Sequence, residues 1–155
     1  MKYLTIGIFA FSSLLLSSFK LNETDPCNKE KIYATKDYLY GNSFFAEYDK
    51  VKKFPTYEGG KEMIQKFFDE NVELTGDAKN IVARYHITFT VNCNGELGNF
   101  ELRSNPFPGH EELIEACKKM PKWNPTKVKG EFVDCYVRLG FTNQAGKVKV
   151  DYREK

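Results

Sequence analysis

The residues with the most varied chemistry in this chain are four cysteines, Cys27, Cys93, Cys117 and Cys135. A cysteine can ligate zinc, attack a substrate as a thiolate or form a disulfide. No two of these cysteines are separated by the two residues that are typical of zinc knuckles and redox motifs. Because their number is even, an oxidising compartment would favour two disulfides over thiol or zinc chemistry.

The two histidines, His86 and His110, do not form a recognisable catalytic pattern with a serine, a cysteine or a carboxylate. The acidic residues that follow His110 are Glu111, Glu112 and Glu115, and they fit the start of a helix, where negative charge is favourable. We interpret both histidines as ordinary surface residues. The sequence therefore predicts no enzymatic activity, no cofactor and no metal site.

One basic cluster lies in the last third of the chain. It consists of Lys118, Lys119, Lys122, Lys127 and Lys129. Lysines favour the carboxyl end of a helix, and the alternative is that they attract an acidic partner segment.

The whole chain has 23 Lys and Arg against 21 Asp and Glu, a net charge of +2. This balance gives no argument for a nucleic-acid partner, which needs a concentrated basic surface.

The first 18 residues have the order of a secretory signal. Lys2 precedes an apolar run at 4–16, and two serines, Ser17 and Ser18, follow it. The run is shorter than the roughly 20 residues of a membrane span. We expect cleavage after Ser18, and an uncleaved membrane anchor is the alternative. The length of 155 residues, with 41% hydrophobic and 28% charged content, then predicts one globular domain after a polar arm at 19–42.

Periodicity predicts the elements of that domain. An amphipathic helix begins at Gly59-Gly60 and reaches Val72. A strand at 85–93 alternates apolar and polar residues, and Asn94-Gly95 turns it into a return strand at 97–103. A second helix is expected at 110–120 and a third strand at 131–142. In the tail at 143–155, residues 143–146 can turn, and Val148, Val150 and Tyr152 alternate again, which makes the tail a candidate for a fourth strand.

This order predicts an α+β fold in which two helices pack on one face of a three-stranded sheet, antiparallel or mixed. A right-handed helical crossover would return the third strand beside the first, so that the strand order is two, one, three. The third strand is then a sheet edge unless the tail covers it. The tail would add a fourth strand in that case.

Three segments of the sequence resemble the carboxyl-terminal domain of TonB-family proteins, in particular the short forms common in Bacteroidetes-type bacteria. They are FPTYEGG at 54–60, the hairpin VNCNGEL at 91–97, and MPKWNPTKVKGEFVDCYVRLGFT at 120–142. The resemblance covers about residues 43–142. It implies a periplasmic domain that binds an extended segment of an outer-membrane receptor or another envelope protein.

In that family the bound segment joins the sheet edge at the last strand. An open edge offers unpaired backbone groups, and alternate side chains supply selectivity. The resemblance therefore implies a non-enzymatic module for transport across the envelope, whose partner adds a strand. The alternative is an assembly protein that forms homodimers through its sheet edge. Mapped onto this chain, the partner-binding residues are Val133, Asp134, Tyr136, Val137, Arg138, Leu139 and Phe141.

Two features depart from an energy-transducing member of that family. The apolar segment at 4–16 is short and lacks a histidine, and the residues that follow it contain no long Pro-rich rod. The second departure is the tail, because a strand at 147–152 would pair with the third strand and block the proposed edge. We therefore expect a free-standing binding domain of TonB type.

The four cysteines allow three disulfide pairings. Cys117 on the apolar stripe of the second helix and Cys135 on the inward face of the third strand are expected to meet, which leaves Cys27 for Cys93. Each bridge would stabilise the domain by about 3–4 kcal/mol in the chain-entropy picture. The competing interpretation pairs Cys93 with Cys135, and buried free thiols are the remaining one.

Overall fold

The computed structural model describes residues 32–34 and 53–152 of the chain. The predicted signal peptide at 1–18, most of the arm at 19–42 and the cysteine Cys27 lie outside the described residues. No helix in the described part is both long enough and apolar enough to span a membrane.

The fold is α+β, as the sequence predicts. The long strands are β2 (Val82–Val91) and β6 (Cys135–Gln144), which pair antiparallel over their whole length. The strand β3 (Leu97–Leu102) pairs with the other side of β2, so the predicted order two, one, three is confirmed as β3-β2-β6. Two further strands, β1 (Tyr33–Ala34) and β7 (Lys147–Asp151), both pair with β6 on the side away from β2.

Alternation along β2 and β6 gives the sheet one apolar face. Tyr85 lies opposite Phe141, and Phe89 lies opposite Val137, and all four side chains are buried. The residues between them, such as His86, lie on the other face of the sheet. The apolar face is the one that must be covered.

Two helices cover that face, as predicted. The helix α1 (Gly60–Asn71) buries Ile64 and Phe68, and the Phe68 ring packs edge-on against Phe141 at 4.8 Å between centroids. The helix α2 (His110–Lys118) buries Leu113, Ala116 and Cys117 in the same core. Their polar faces remain in water, as their 3.6-residue periodicity requires.

A ring of aromatic side chains closes one end of the core around Trp123. Its indole packs edge-on against Tyr57, Phe89 and Tyr152, with centroids 5.4–5.5 Å apart. The backbone of Trp123 also donates to Gly95 O at 2.9 Å. The segment that joins α2 to the last part of the sheet is therefore fixed to the β2–β3 turn.

The predicted third strand at 131–142 is two strands in the structure. A short hairpin of β4 (Thr126–Val128) and β5 (Glu131–Val133) precedes β6, and Asp134 separates β5 from β6. The carboxylate of Asp134 is fully buried and accepts a hydrogen bond from Cys93 N at 2.9 Å. This long-range bond turns the chain at Asp134, which alternation alone does not indicate.

The tail forms the additional strand for which the sequence makes it a candidate. Residues 147–151 run antiparallel to β6, joined to it by the two-residue turn Ala145-Gly146, where both φ angles are positive. This combination is typical of a tight type I′ hairpin. The side chain of Val150 is buried against the core, so β7 is an integral part of the domain.

Candidate partner-binding edge of the sheet

The predicted partner-binding residues lie on three different parts of the structure. Val133 ends β5, and Asp134 is the buried break before β6. Three residues are buried in the core face of β6, namely Val137, Leu139 and Phe141. Tyr136 and Arg138 lie on the opposite face and are half-buried.

The outer side of β6 is occupied at both ends. At its start Tyr136 pairs with Ala34 of β1, and Tyr33 N donates to Asp134 O at 2.9 Å. From Gly140 to Gln144, β6 pairs with β7. Of the β6 residues that direct backbone groups to this side, only Arg138 lies between the two described strands. The expectation of an open edge at the last strand is therefore corrected, and the alternative in which the tail covers it is the one observed.

The outer side of β7 is closed by a single side chain. Gln65 of α1 donates from Nε2 to Val148 O at 2.9 Å and accepts at Oε1 from Val150 N at 2.8 Å. β7 directs the N–H and C=O groups of Val148 and Val150 away from β6, so Gln65 occupies two of the four backbone groups that a further strand would use. The amide of Gln65 thus replaces a strand at this edge.

β3 is the edge that remains. Arg103 N donates to His86 O at 2.7 Å, and Thr88 lies opposite Glu101, so these residues direct their backbone groups to β2. Their neighbours Phe100 and Leu102 then direct N–H and C=O away from the sheet. Within residues 53–152 no strand or side chain pairs with this side of β3.

A bulge shortens the open edge. Between Thr88 and Thr90 of β2 the register shifts, so that Asn99 and Phe100 together face one residue of β2. Asn99 has φ of 54°, a left-handed conformation that asparagine tolerates better than most residues. The straight part of the edge is therefore the stretch from Phe100 to Leu102.

The side chains along β3 give this edge an apolar and a charged side. Phe100 packs beside Phe89 in the core at 5.6 Å between ring centroids, and Leu102 also packs against the core. On the other face Glu101 forms an ion pair with Arg103. The sequence predicts this return strand at one end of the strand order. The resemblance instead implies that the partner binds at the last strand.

The polar face of the sheet beside this edge carries His86. Burial lowers the pKa of His86, and the positive charges of Arg138 and Arg84 lower it further, while Asp151 raises it. The imidazole is therefore disposed to be neutral near pH 7. His110 is placed differently, at the start of α2, where its Nδ1 lies 2.9 Å from Phe107 O.

Two of the three cysteines in the described part of the chain are free thiols. Cys117 and Cys135 are buried thiols, so the expected Cys117–Cys135 bridge is wrong, and so is the competing Cys93–Cys135 bridge. Cys93 follows the β2 residue that pairs with Cys135, but it is bonded in another disulfide. For Cys117 the physical reason is that α2 packs against β3, two strands away from β6. Two strand spacings amount to about 9.6 Å, beyond the reach of a disulfide.

Burial makes both free thiols poor nucleophiles. It raises the pKa of Cys117 well above the ordinary thiol range and that of Cys135 to about 12, where the nearby Asp134 charge adds to the effect of burial. Cys93 is disulfide-bonded. Its expected partner Cys27 lies outside the described residues, so the Cys27–Cys93 bridge stays a prediction.

Three lysines of the cluster are engaged with different partners. Lys118 pairs with Glu115 at 2.6 Å and Lys122 with Glu96 at 3.0 Å, whereas Lys127 lies over the ring of Phe132. No group of three or more potential metal ligands occurs in the part of the chain that the structure describes.

Comparison of the chain with protein-family models, curated proteins and solved structures gives no match. The resemblance to the TonB carboxyl-terminal domain is therefore neither supported nor opposed by known proteins, and it stays an interpretation of the sequence.

Proposed function

We propose that this protein is an exported, non-enzymatic binding module that takes up an extended segment of an envelope transport partner by strand addition at β3. The observation that supports the proposal most directly is the unpaired outer side of Phe100 and Leu102. The partner is a periplasmic segment of an outer-membrane receptor or another envelope protein, as the resemblance suggests.

The contrast with the other side of the sheet explains the choice of β3. There, β1 and β7 pair with β6, and Gln65 satisfies the backbone of β7. A peptide adding to β6 would have to displace β7 and the residue after it, because Val150 of β7 and the following Tyr152 are buried. Tyr152 also donates from its hydroxyl to Pro55 O at 2.8 Å. A peptide adding to β3 displaces nothing that the structure describes.

The chemistry of the edge defines the segment that would fit. Backbone pairing with Phe100 and Leu102 requires an extended peptide without proline at the paired positions. Side chains of the peptide on one face of the sheet would lie beside Phe100, which favours apolar residues. Those on the other face would lie beside Glu101 and Arg103, which favours polar ones.

Site-specific photo-cross-linking in the native host tests the proposal. A photoreactive amino acid replaces the exposed Glu101 at the β3 edge, and the matched control carries it at the exposed Lys149 on β7. We expect an adduct with an envelope protein at position 101 and none at position 149. An adduct only at position 149, or none at either position, would contradict strand addition at β3.

The second candidate is a homodimer through the same edge, because an open strand is also a template for a second copy. Sedimentation of the purified protein over a range of concentrations separates the two. A monomer at all concentrations together with the adduct at position 101 supports the peptide-binding function. A dimer whose cross-link at position 101 joins two copies of this chain supports the assembly function.

A further inference from the structure

An apolar groove lies beside the β4–β5 hairpin, on a surface that strand addition at β3 does not use. Its volume is about 510 Å³, within the range of about 300–1,000 Å³ that small-molecule sites have. Its lining includes three apolar residues, Phe54, Pro125 and Phe132, and two lysines, Lys53 and Lys127.

The backbone fixes the walls of this groove. Thr56 and Asn124 exchange two hydrogen bonds, N to O at 3.0 Å and 2.8 Å. The hydroxyl of Thr126 donates to Lys53 O at 2.5 Å and ties the hairpin to the opposite wall. A preformed groove costs a ligand less free energy than one that must be ordered on binding.

The aromatic wall is left open to water. The side chain of Phe132 is 50% exposed, whereas its neighbour Val133 is buried. The hairpin holds it there, because Phe132 lies opposite Lys127 across a tight turn at Lys129-Gly130. An exposed aromatic ring at the mouth of an apolar groove is typical of a binding surface.

The charged groups of the groove have one sign. The Lys127 ammonium lies 4.3 Å from the centre of the Phe132 ring, and Lys53 lines the groove as well. No acidic residue is among the described lining residues, and neither lysine has an ion-pair partner within residues 53–152. An ammonium beside an apolar wall attracts an anion that carries an apolar body.

We propose that this groove binds an amphiphilic anion, a molecule with an aliphatic or aromatic body and one carboxylate or phosphate head. The body lies against Phe54, Pro125 and Phe132. The head pairs with the ammonium groups of Lys127 and Lys53. Both the positive charge of the lysines and the apolar lining of the groove lead to this class of ligand.

Calorimetric titration of the purified protein tests the charge preference. The probes are decanoate, decyl phosphate and decyltrimethylammonium, each below its micelle concentration, so that the tail is constant and the head changes. We expect at least one of the two anions to bind with 1:1 stoichiometry, at least tenfold more tightly than the cation, and more weakly as NaCl is added. The two anions distinguish a carboxylate from a phosphate ligand. Equal binding of all three probes, or binding of none, would overturn the proposal.

Substitutions locate the site. Phe132→Ala is expected to weaken binding of the tighter anion about tenfold, because it removes most of the exposed wall. Lys127→Gln is expected to weaken it about two- to fivefold, the range of an exposed ion pair. The matched controls are Phe107→Ala, an exposed ring elsewhere, and Lys149→Gln on β7, and both should bind as the parent does.

Two results of this series would contradict the assignment. The first is an equal loss of binding in the test and control variants. The second is a ligand-free parent protein that sediments as a dimer and becomes a monomer on Phe132→Ala, since the occupant would then be a second copy of the chain. Thermal melting of each variant shows whether it is folded, and Phe132 and Lys127 are exposed enough to be replaced without loss of the core.

Discussion

At the scale of single residues, the half-buried Gln65 has a role that the pattern of an amphipathic helix does not indicate. Its amide satisfies Val148 O and Val150 N, two groups at the outer side of β7. Because one side chain must both donate and accept here, only an amide side chain can form both bonds. Asparagine has such an amide but is one methylene shorter than glutamine. Gln65 therefore secures the tail strand to α1.

We expect Gln65→Ala to lower the free energy of unfolding by about 1–3 kcal/mol, because it leaves two partly buried backbone groups unpaired. Gln65→Glu should also lose stability, because the carboxylate still accepts from Val150 N but sets an oxygen against Val148 O and Asp69 in place of the donor. Urea denaturation measures the difference. The control Lys66→Ala removes only an exposed pair with Glu70 and should change stability by less than about 0.5 kcal/mol. An equal effect at positions 65 and 66 would show that the amide does not cap β7.

The free thiols give a second test at this scale. Because burial raises the pKa of Cys135 from the ordinary 9.0 to about 12, and that of Cys117 as well, both stay protonated in the folded protein at pH 8. Iodoacetamide should leave them unmodified in the native protein and add two groups in denaturant, as read by intact mass. Rapid labelling of the native protein would contradict their burial.

The same shift predicts a dependence of stability on pH. An unfolded thiol loses its proton above about pH 8.5, whereas the folded Cys135 keeps it until about pH 12. The unfolded state is then favoured as the pH rises through this interval, so the two thiols lower stability at alkaline pH. Cys135→Ser or Cys135→Ala should flatten the fall in stability between pH 9 and 11, whatever its effect at pH 7.

At the scale of elements, the sequence predicts those that local pattern determines. The helix at Gly60–Asn71, the strand Val82–Val91 apart from its exact ends, which the pattern predicts at 85 and 93, and the turn at Asn94-Gly95 follow from periodicity and from turn chemistry. The break at Asp134 does not, because it depends on a hydrogen bond to Cys93, which is distant in sequence. The parallel pairing of β1 with β6 is equally long-range.

The sequence predicts that the candidate site is an open edge strand, but it does not identify which edge of the sheet is open. An open strand at the end of a three-stranded order follows from the pattern of elements, and β3 is such a strand. The sequence alone leaves undecided whether the tail covers the opposite edge, because alternation at Val148 and Val150 shows a strand but not its neighbour. The groove beside Phe132 depends on the β4–β5 hairpin. The sequence pattern predicts β5 and β6 as one continuous strand and so does not indicate this hairpin.

The β2–β3 turn and the β4–β5 turn each contain a glycine, and these two glycines allow a matched pair of substitutions. Gly95 and Gly130 both have positive φ, 79° and 92°. A side chain at Gly95 would collide with the backbone oxygen of Trp123, whereas Gly130 faces open space. We expect Gly95→Ala to cost about 3 kcal/mol or more and Gly130→Ala about 1–2 kcal/mol, the left-handed strain alone. Equal losses in urea denaturation would show that the contact between the turn and Trp123 does not matter.

At the scale of the whole molecule, the two sides of the sheet differ in what they offer to a partner. The side with β6 and β7 is closed by β1, by the tail and by Gln65, and it is anchored to the aromatic cluster through Tyr152. The side with β3 has backbone groups without a partner in the described part of the chain. We therefore assign stability to one side of the sheet and recognition to the other.

Amide hydrogen exchange at single-residue resolution distinguishes the open edge of the sheet from the closed one. In the free protein we predict fast exchange at Phe100 and Leu102 and slow exchange at Val150, which Gln65 covers. Adding the segment that cross-links at position 101 should slow Phe100 and Leu102 and leave Val150 unchanged. Slow exchange at Phe100 and Leu102 in the free monomer, or protection by the segment at Arg138 instead, would contradict recognition at β3.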